Sequence, residues 1–84
     1  MKLFLIELDT WGYDEWDSCV IAEESIEAVN KRCTENNFFE LKGLDYGHTF
    51  FITENQKCDS IKYLGEADSS ITEPCIICSS YNAG

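Results

Sequence analysis

The first part of the chain alternates between apolar and polar segments in a way that predicts two neighbouring strands. Bulky apolar residues occupy both faces of Lys2 to Leu8, which is typical of a central, largely buried strand. Residues 9–17 break this pattern with a glycine and four charges, and they predict a loop. Ser18 to Ala22 predicts a second, short strand, antiparallel to the first because a nine-residue connection is too short for a parallel crossover.

The next segment has the pattern of a helix that begins after Ser25. Ser25 is a suitable N-cap. Apolar side chains follow at helical spacing: Ile26, Val29 and Cys33. Three carboxylates lie near the positive end of the helix dipole: Glu23, Glu24 and Glu27. The pattern predicts one helix over residues 26–34, which the Asn36-Asn37 pair ends.

The second half of the chain is predicted to be rich in strands. Residues 38–47 fit no clean period. Thr49 to Glu54 and Ser60 to Glu66 are rich in β-branched and aromatic residues and flank a polar turn, so they predict a hairpin. Residues 67–73 predict a turn region that Pro74 ends, and Cys75 to Tyr81 predicts a last strand.

These elements predict the fold class. The order ββαβββ indicates an α+β fold with a small, mixed, mainly antiparallel sheet of about five strands and one helix on one face. The chain has 84 residues, 44% of them hydrophobic and 13% aromatic, so we expect residues 1–84 to form a single folded domain. A chain this short buries only about 60 to 65% of its unfolded surface, and a homo-oligomer would add stability.

The charge balance narrows the range of partners. Sixteen Asp and Glu against six Lys and Arg give a net charge of −10 at pH 7. Such a field repels phosphates and anionic lipids and attracts basic surfaces, so we expect neither direct nucleic-acid binding nor membrane binding. Eight carboxylates and no Lys or Arg lie between Leu3 and Asn30, which makes the N-terminal third the acidic pole.

The apolar segments and the cysteines predict a cytosolic protein. The run from Leu3 to Ile6 is too short for the core of a signal peptide, and Glu7 follows it at once. No segment approaches the roughly 20 apolar residues that a membrane span needs. In that compartment we expect the five cysteines to be reduced thiols.

The Cys75-x-x-Cys78 pair is the strongest candidate for a metal site. A third or fourth ligand for zinc could come from Cys33, Cys58 or His48. The intervening Ile76-Ile77 is typical of a strand, in which positions three apart face opposite sides. We therefore expect a buried, inert pair and no bound metal. Nothing after Cys78 has the helical pattern of a redox motif.

Few residues could support catalysis. The only histidine is His48, which follows Gly47 at a predicted junction between loop and strand. A single histidine beside a glycine turn is more often a surface residue than a catalyst. The chain has no glycine-rich phosphate-binding motif. The sequence therefore predicts a protein that is not an enzyme and holds no cofactor.

An aromatic and acidic segment is the candidate binding site. Tryptophan and tyrosine dominate interface energies, and neighbouring carboxylates would steer the site toward Lys and Arg on a partner. Alternatively, one or both tryptophans could cover the small core, although three aromatics within six residues cannot easily all be buried. The predicted partner-binding residues are Trp11, Tyr13, Asp14, Glu15, Trp16 and Asp17.

Two sets of segments stand out near the two ends of the chain: residues 2–8, Trp11 to Asp17 and Val20 to Glu24 in the first part, and Leu64 to Ala67 and Ser80 to Gly84 in the last. With them the chain resembles a group of short accessory proteins of tailed bacteriophages, in which an aromatic and acidic turn near the N-terminus accompanies an aromatic-Asn-Ala-Gly C-terminus. The resemblance implies a phage origin and the cytoplasm of a bacterial host, without implying a catalytic residue. Small acidic proteins of this class include DNA mimics and inhibitors of host defence nucleases.

Together these observations predict a phage-encoded binding protein that inhibits or modulates a host protein with a basic surface. An anti-defence role, such as that of an anti-CRISPR protein or a DNA mimic, would fit this prediction. One alternative is an oligomeric sponge or sensor for a small molecule, with a pocket around Tyr13, Tyr46, Tyr63 or Tyr81. Another is a component of the virion or of its assembly.

Overall fold

The computed structural model describes residues 1–44 and 49–82, which form one α-helix and a five-stranded sheet. The α+β class and the order ββαβββ are confirmed. In chain order the elements are β1 (Lys2–Leu8), β2 (Glu15–Glu23), α1 (Ile26–Glu35), a short 3₁₀ helix (Phe38–Glu40), β3 (Lys42–Gly43), β4 (Cys58–Glu66) and β5 (Cys75–Asn82).

β1 lies inside the sheet, as its apolar residues on both faces predict. The strand order is β3-β5-β2-β1-β4. β1 pairs antiparallel with β2 and with β4, and β2 pairs antiparallel with β5. β3 pairs parallel with β5, so the sheet is mixed and mainly antiparallel. The two-residue β3 and the nine-residue β4 form its edges.

The β4 edge carries a bulge near its end. Leu3 pairs with Gly65 and Phe4 pairs with Tyr63, which leaves Leu64 without a directly opposed residue. Gly65 has a φ of 138°, a conformation that residues with a Cβ atom rarely adopt. The glycine therefore allows the edge strand to bend at this point.

α1 forms as the sequence predicts and ends one residue later. The Ser25 hydroxyl accepts a hydrogen bond from the Ala28 backbone N–H at 3.2 Å, which caps the first turn. Asn36 ends the helix in the left-handed conformation, with a φ of 51°. Within residues 1–44 and 49–82, no helix has the length and apolar character needed to cross a membrane.

The predicted strand from Thr49 to Glu54 is absent, and the predicted hairpin is therefore wrong. The side chains there do alternate, because Phe50 and Ile52 are buried and Phe51 is 46% exposed. The Asn36 side chain, instead of a neighbouring strand, pairs with the backbone of Ile52. Asn36 Nδ2 donates to the Ile52 carbonyl at 2.6 Å, and the Ile52 N–H donates to Asn36 Oδ1 at 3.3 Å. The third strand is instead β3, in a segment with no clean sequence pattern.

β2 begins at Glu15, earlier than the predicted start at Ser18. Glu15 pairs with Asn82 and Trp16 with Tyr81, so β5 extends the strand into the predicted loop. The loop between β1 and β2 is correspondingly short, and part of the predicted binding segment belongs to the sheet.

The core lies between one face of the sheet and a layer formed by α1 and the segments that follow it. Glu23 of β2 is 3% exposed, and it accepts a hydrogen bond from Nε of Arg32 in α1 at 2.7 Å. This ion pair joins the helix to the sheet. The buried apolar residues of the core are Phe4, Ile6, Leu8, Cys19, Ile21, Val29, Phe38, Phe50, Ile52 and Ile76.

The expectation that Cys75 and Cys78 are buried on opposite faces is wrong. Cys78 is exposed and Cys75 is half-buried. Cys75 pairs with Ala22 and Cys78 with Val20, and a shift in register leaves Ile77 unpaired. Because paired residues share a face, this bulge places both cysteines on the face of the sheet that α1 does not cover.

Candidate functional site

A tight turn between β1 and β2 presents the aromatic and acidic segment. Asp14 has a φ of 59°, a left-handed conformation that Asp tolerates better than most residues. Its backbone N–H donates to the Asn82 carbonyl at 2.8 Å. Glu15 Oε1 accepts a hydrogen bond from the Gly12 N–H at 2.7 Å, and Asn82 Nδ2 donates to the Gly12 carbonyl at 2.9 Å. The turn is therefore closed by side chains at both of its ends.

The buried side chain of Gln56 holds the backbone of this turn in place through hydrogen bonds. Its side chain is 4% exposed, and Nε2 donates to the carbonyls of Thr10 at 2.9 Å and of Trp16 at 2.7 Å. Its Oε1 accepts a hydrogen bond from the Thr53 N–H at 3.0 Å. The Thr53 hydroxyl donates to Glu15 Oε2 at 2.6 Å. These contacts fix residues 10–16 to the loop that precedes β4.

Two aromatic side chains of the segment extend into solvent. Trp11 is 56% exposed and Tyr13 is 79% exposed. Asp14, between Tyr13 and the start of β2, is also exposed. Tryptophan and tyrosine are among the residue types enriched at binding hot spots.

Trp16 takes a different position, because it is half-buried and packs against the core. Its ring meets Phe50 edge-on with centroids 6.4 Å apart and Phe51 at 6.1 Å, and it lies 4.7 Å from Tyr81. Phe51 and Tyr81 are 46% and 43% exposed. We call Trp16, Phe51 and Tyr81 the aromatic patch. The expectation that a tryptophan covers the core thus holds for Trp16 alone.

The three predicted acidic residues have different surroundings. Both carboxylate oxygens of Glu15 accept hydrogen bonds within the molecule. Asp17 accepts hydrogen bonds from the hydroxyls of Ser18 at 2.9 Å and Ser80 at 3.1 Å. Asp14 lies close to Tyr81. Desolvation, and then the negative charge of Asp14, raise the pKa of Tyr81. Asp14 is the most exposed of the three.

Sequence reasoning missed Gln56, Asn82 and Phe51 as parts of this site. Nothing in the pattern around Gln56 marks it as buried, since it lies in a polar turn. Phe51 was assigned to a strand of the predicted hairpin. A tertiary contact that joins residues 40 positions apart, such as that of Gln56 with Trp16, leaves no local signal in the sequence.

A groove of about 760 Å³ lies between α1 and the segment that leads into β4. None of the described tyrosines lines it, and Tyr46 is outside the described residues. In the part of the chain that the structure describes, no three His, Cys, Asp or Glu side chains are placed to hold a metal ion. His48 and the C-terminal Ala83 and Gly84 also lie outside that part.

Comparison with known proteins adds no assignment. No family model matches the chain, and no curated protein or solved structure shows significant similarity to it.

Proposed function

We propose that this is a phage-encoded, non-enzymatic protein that binds a basic surface of a host protein in the bacterial cytoplasm and inhibits or modulates it. The exposed turn with Trp11, Tyr13 and Asp14 would provide the anchor, and the aromatic patch would extend the contact. The observation that carries this proposal is the exposure of Trp11 and Tyr13 on a turn held by buried hydrogen bonds.

Preorganisation is the physical reason why this turn suits binding. A loop that becomes ordered only in a complex loses conformational entropy on association, which weakens affinity. Here the hydrogen bonds of Gln56 and Glu15 already fix the backbone of the turn. Most of this conformational entropy is therefore lost during folding and not on association. Trp and Tyr side chains add large contact areas with few rotatable bonds.

The charge distribution supports a basic partner. Among residues 1–44 and 49–82, ion pairs join Lys2 with Glu66, Arg32 with Glu23 and Lys62 with Glu7. None of these cations belongs to the turn, and residues 9–17 contain four carboxylates and no Lys or Arg. This excess of negative charge would speed encounter with a basic protein surface and oppose nucleic acid.

The proposal is tested by the effect of Trp11→Ala on a partner captured from host lysate and then purified. We expect the dissociation constant to rise about thirtyfold, because truncation of a hot-spot tryptophan costs about 2 kcal/mol or more. Tyr63→Ala is the matched control, since Tyr63 is an aromatic residue of β4 with a similar exposure of 55%. Equal losses of affinity in the two variants, or none in either, would refute the proposed site.

Salt dependence provides a second measurement on the same complex. Steering by charge weakens as salt screens it, with a Debye length of about 10 Å at 0.1 M. We expect the association rate to fall with increasing salt, and Asp14→Asn to reduce that dependence. An association rate independent of salt would contradict a basic partner surface.

A further inference from the structure

The groove beside α1 contains two thiols that come from different elements. Cys33 lies on α1, and Cys58 is the first residue of β4. Both side chains line the groove, both are half-buried, and both pack against the core cluster. The fold thus brings together two cysteines that are 25 positions apart and leaves them open to a space of about 760 Å³.

The two thiols line the same groove and interact with each other, which makes them chemically unequal. The interaction raises the pKa of Cys33 and lowers that of Cys58, as expected when the Cys33 thiol shares its proton with the Cys58 sulfur. Burial and the negative charge of Asp9 oppose the change at Cys58. Cys58 is thus the better nucleophile of the two, and Cys33 lines the groove beside it.

The remaining cysteines are placed differently. Cys19 is 2% exposed within the core, and burial strongly raises the pKa of its thiol, which makes it a poor nucleophile. Cys75 and Cys78 lie on the uncovered face of the sheet, away from α1. The described structure therefore distinguishes one reactive pair, Cys33 and Cys58, from three other thiols.

We propose that Cys33 and Cys58 form a dithiol site that reacts with low-molecular-weight disulfides in the groove and closes to an intramolecular disulfide. The Cys58 thiolate attacks one sulfur of the small disulfide, and the other sulfur leaves as a thiol. The Cys33 thiol then loses its proton and attacks the Cys58 sulfur, which releases the second small thiol. The dithiol gives up two electrons and two protons, and the small disulfide is reduced to two thiols.

The disulfide would fasten α1 to the start of β4. Cys58 follows Gln56 and Lys57, so the link would also stiffen the loop that anchors the aromatic turn. Closure of a loop of this length restricts the unfolded chain, and we expect the oxidised protein to melt about 10 °C higher than the reduced one. This inference does not depend on the identity of any partner.

The test uses oxidised glutathione as the probe and the variant Cys75→Ser/Cys78→Ser as the background, since these substitutions remove two thiols outside the groove. After incubation, intact mass should decrease by two hydrogen atoms, and peptide mapping should find Cys33 linked to Cys58. Adding Cys33→Ser should stop the reaction at a stable glutathione adduct on Cys58. Adding Cys58→Ser should leave most of the protein unmodified.

Several outcomes would overturn the proposal. One is accumulation of the glutathione adduct in the background variant without ring closure. Others are equal modification of the Cys33→Ser and Cys58→Ser variants of this background, or a linkage through Cys19. If a serine variant fails to fold, alkylation of the reduced background protein with iodoacetamide decides instead. Cys58 should then react at least tenfold faster than Cys33 and Cys19, and equal rates would contradict the site.

Discussion

The side-chain amide of Gln56 donates a hydrogen bond to the backbone carbonyl of Trp16 at 2.7 Å, across 40 positions of sequence. The same nitrogen also donates to the Thr10 carbonyl, and the side-chain oxygen of Gln56 accepts a hydrogen bond from the Thr53 N–H. One buried side chain thus satisfies backbone groups of the loop between β1 and β2, of the start of β2 and of the loop that precedes β4. The geometry of the exposed turn depends on this residue together with Glu15 and Asn82.

Replacement of Gln56 by methionine should therefore be costly. The variant keeps a similar shape but leaves two carbonyls and one N–H without partners in a buried site. We expect the free energy of unfolding, measured with urea, to fall by about 2 to 3 kcal/mol. The neighbouring Asn55→Ala is the control, because Asn55 is exposed. A loss below about 0.5 kcal/mol for Gln56→Met would show that water replaces these bonds.

The two tryptophans should separate stability from binding. Trp16 packs against Phe50 in the core, so Trp16→Ala should lower the free energy of unfolding by about 2 to 3 kcal/mol. Trp11 is 56% exposed, and Trp11→Ala should cost less than about 0.5 kcal/mol. Thermal or urea unfolding of both variants measures the difference.

Trp16→Phe is the informative control for this comparison. The Trp16 Nε1 is buried and has no hydrogen-bond partner among residues 1–44 and 49–82. Phenylalanine removes this unpaired donor while it keeps the aromatic contacts, so the variant should lose less stability than Trp16→Ala. Equal losses would mean that the indole ring itself is required.

The ion pair between Glu23 and Arg32 should behave differently from ion pairs at the surface. Arg32→Met leaves the Glu23 carboxylate buried without its cation, and we expect a loss of about 3 kcal/mol in the free energy of unfolding. Lys62→Met breaks an exposed pair with Glu7 and should cost less than about 1 kcal/mol. Comparable losses in urea unfolding would place Glu23 in contact with water.

The contact of Asp14 with Tyr81 can be measured by titration of the phenol. Because the pKa of Tyr81 is raised in the folded protein, its contribution to stability is present below the ordinary value of about 10 and is lost as pH rises through the raised value. Asp14→Asn should lower the pKa of Tyr81, measured by NMR, while desolvation keeps it above the ordinary value.

Tyr63 provides the matched control, since a hydrogen bond with Glu66 raises its pKa in the same way. Glu66→Gln should lower the pKa of Tyr63 and leave Tyr81 unchanged, and Asp14→Asn should have the opposite selectivity. If Asp14→Asn lowers the pKa values of Tyr63 and Tyr81 equally, the effect comes from the change in overall charge. A local interaction between Asp14 and Tyr81 would then be refuted.

The helix and its start could be predicted because their signals are local. Ser25 lies next to the backbone N–H that it caps, and Val29 falls on the apolar side within one turn. β1 and the class of the fold were predictable for a similar reason, since both faces of Lys2–Leu8 are apolar. These features depend on neighbours within a few residues along the chain.

The pairing of segments could not be predicted, because it depends on distant residues. Phe50 and Ile52 alternate with exposed positions as they would in a strand, yet the side chain of Asn36 takes the place of a pairing strand. The bulge at Ile77, which turns Cys75 and Cys78 to one face, depends on the register with β2. For the candidate site, the sequence predicts that at least one of the three aromatics is exposed, whereas the difference between Trp11 and Trp16 and the role of Gln56 require the structure.

The bulge at Leu64 and Gly65 bears on how the molecule behaves at high concentration. β4 is a long edge strand, and a regular edge of this kind offers hydrogen bonds to a strand of another molecule. The bend at Gly65 interrupts the row of backbone hydrogen-bond donors and acceptors along this edge. The charged side chain of Lys62 lies on the same strand, close to the bend. The opposite edge, β3, has only two residues. The β4 border of the sheet therefore resists the edge-to-edge stacking that leads to fibrils.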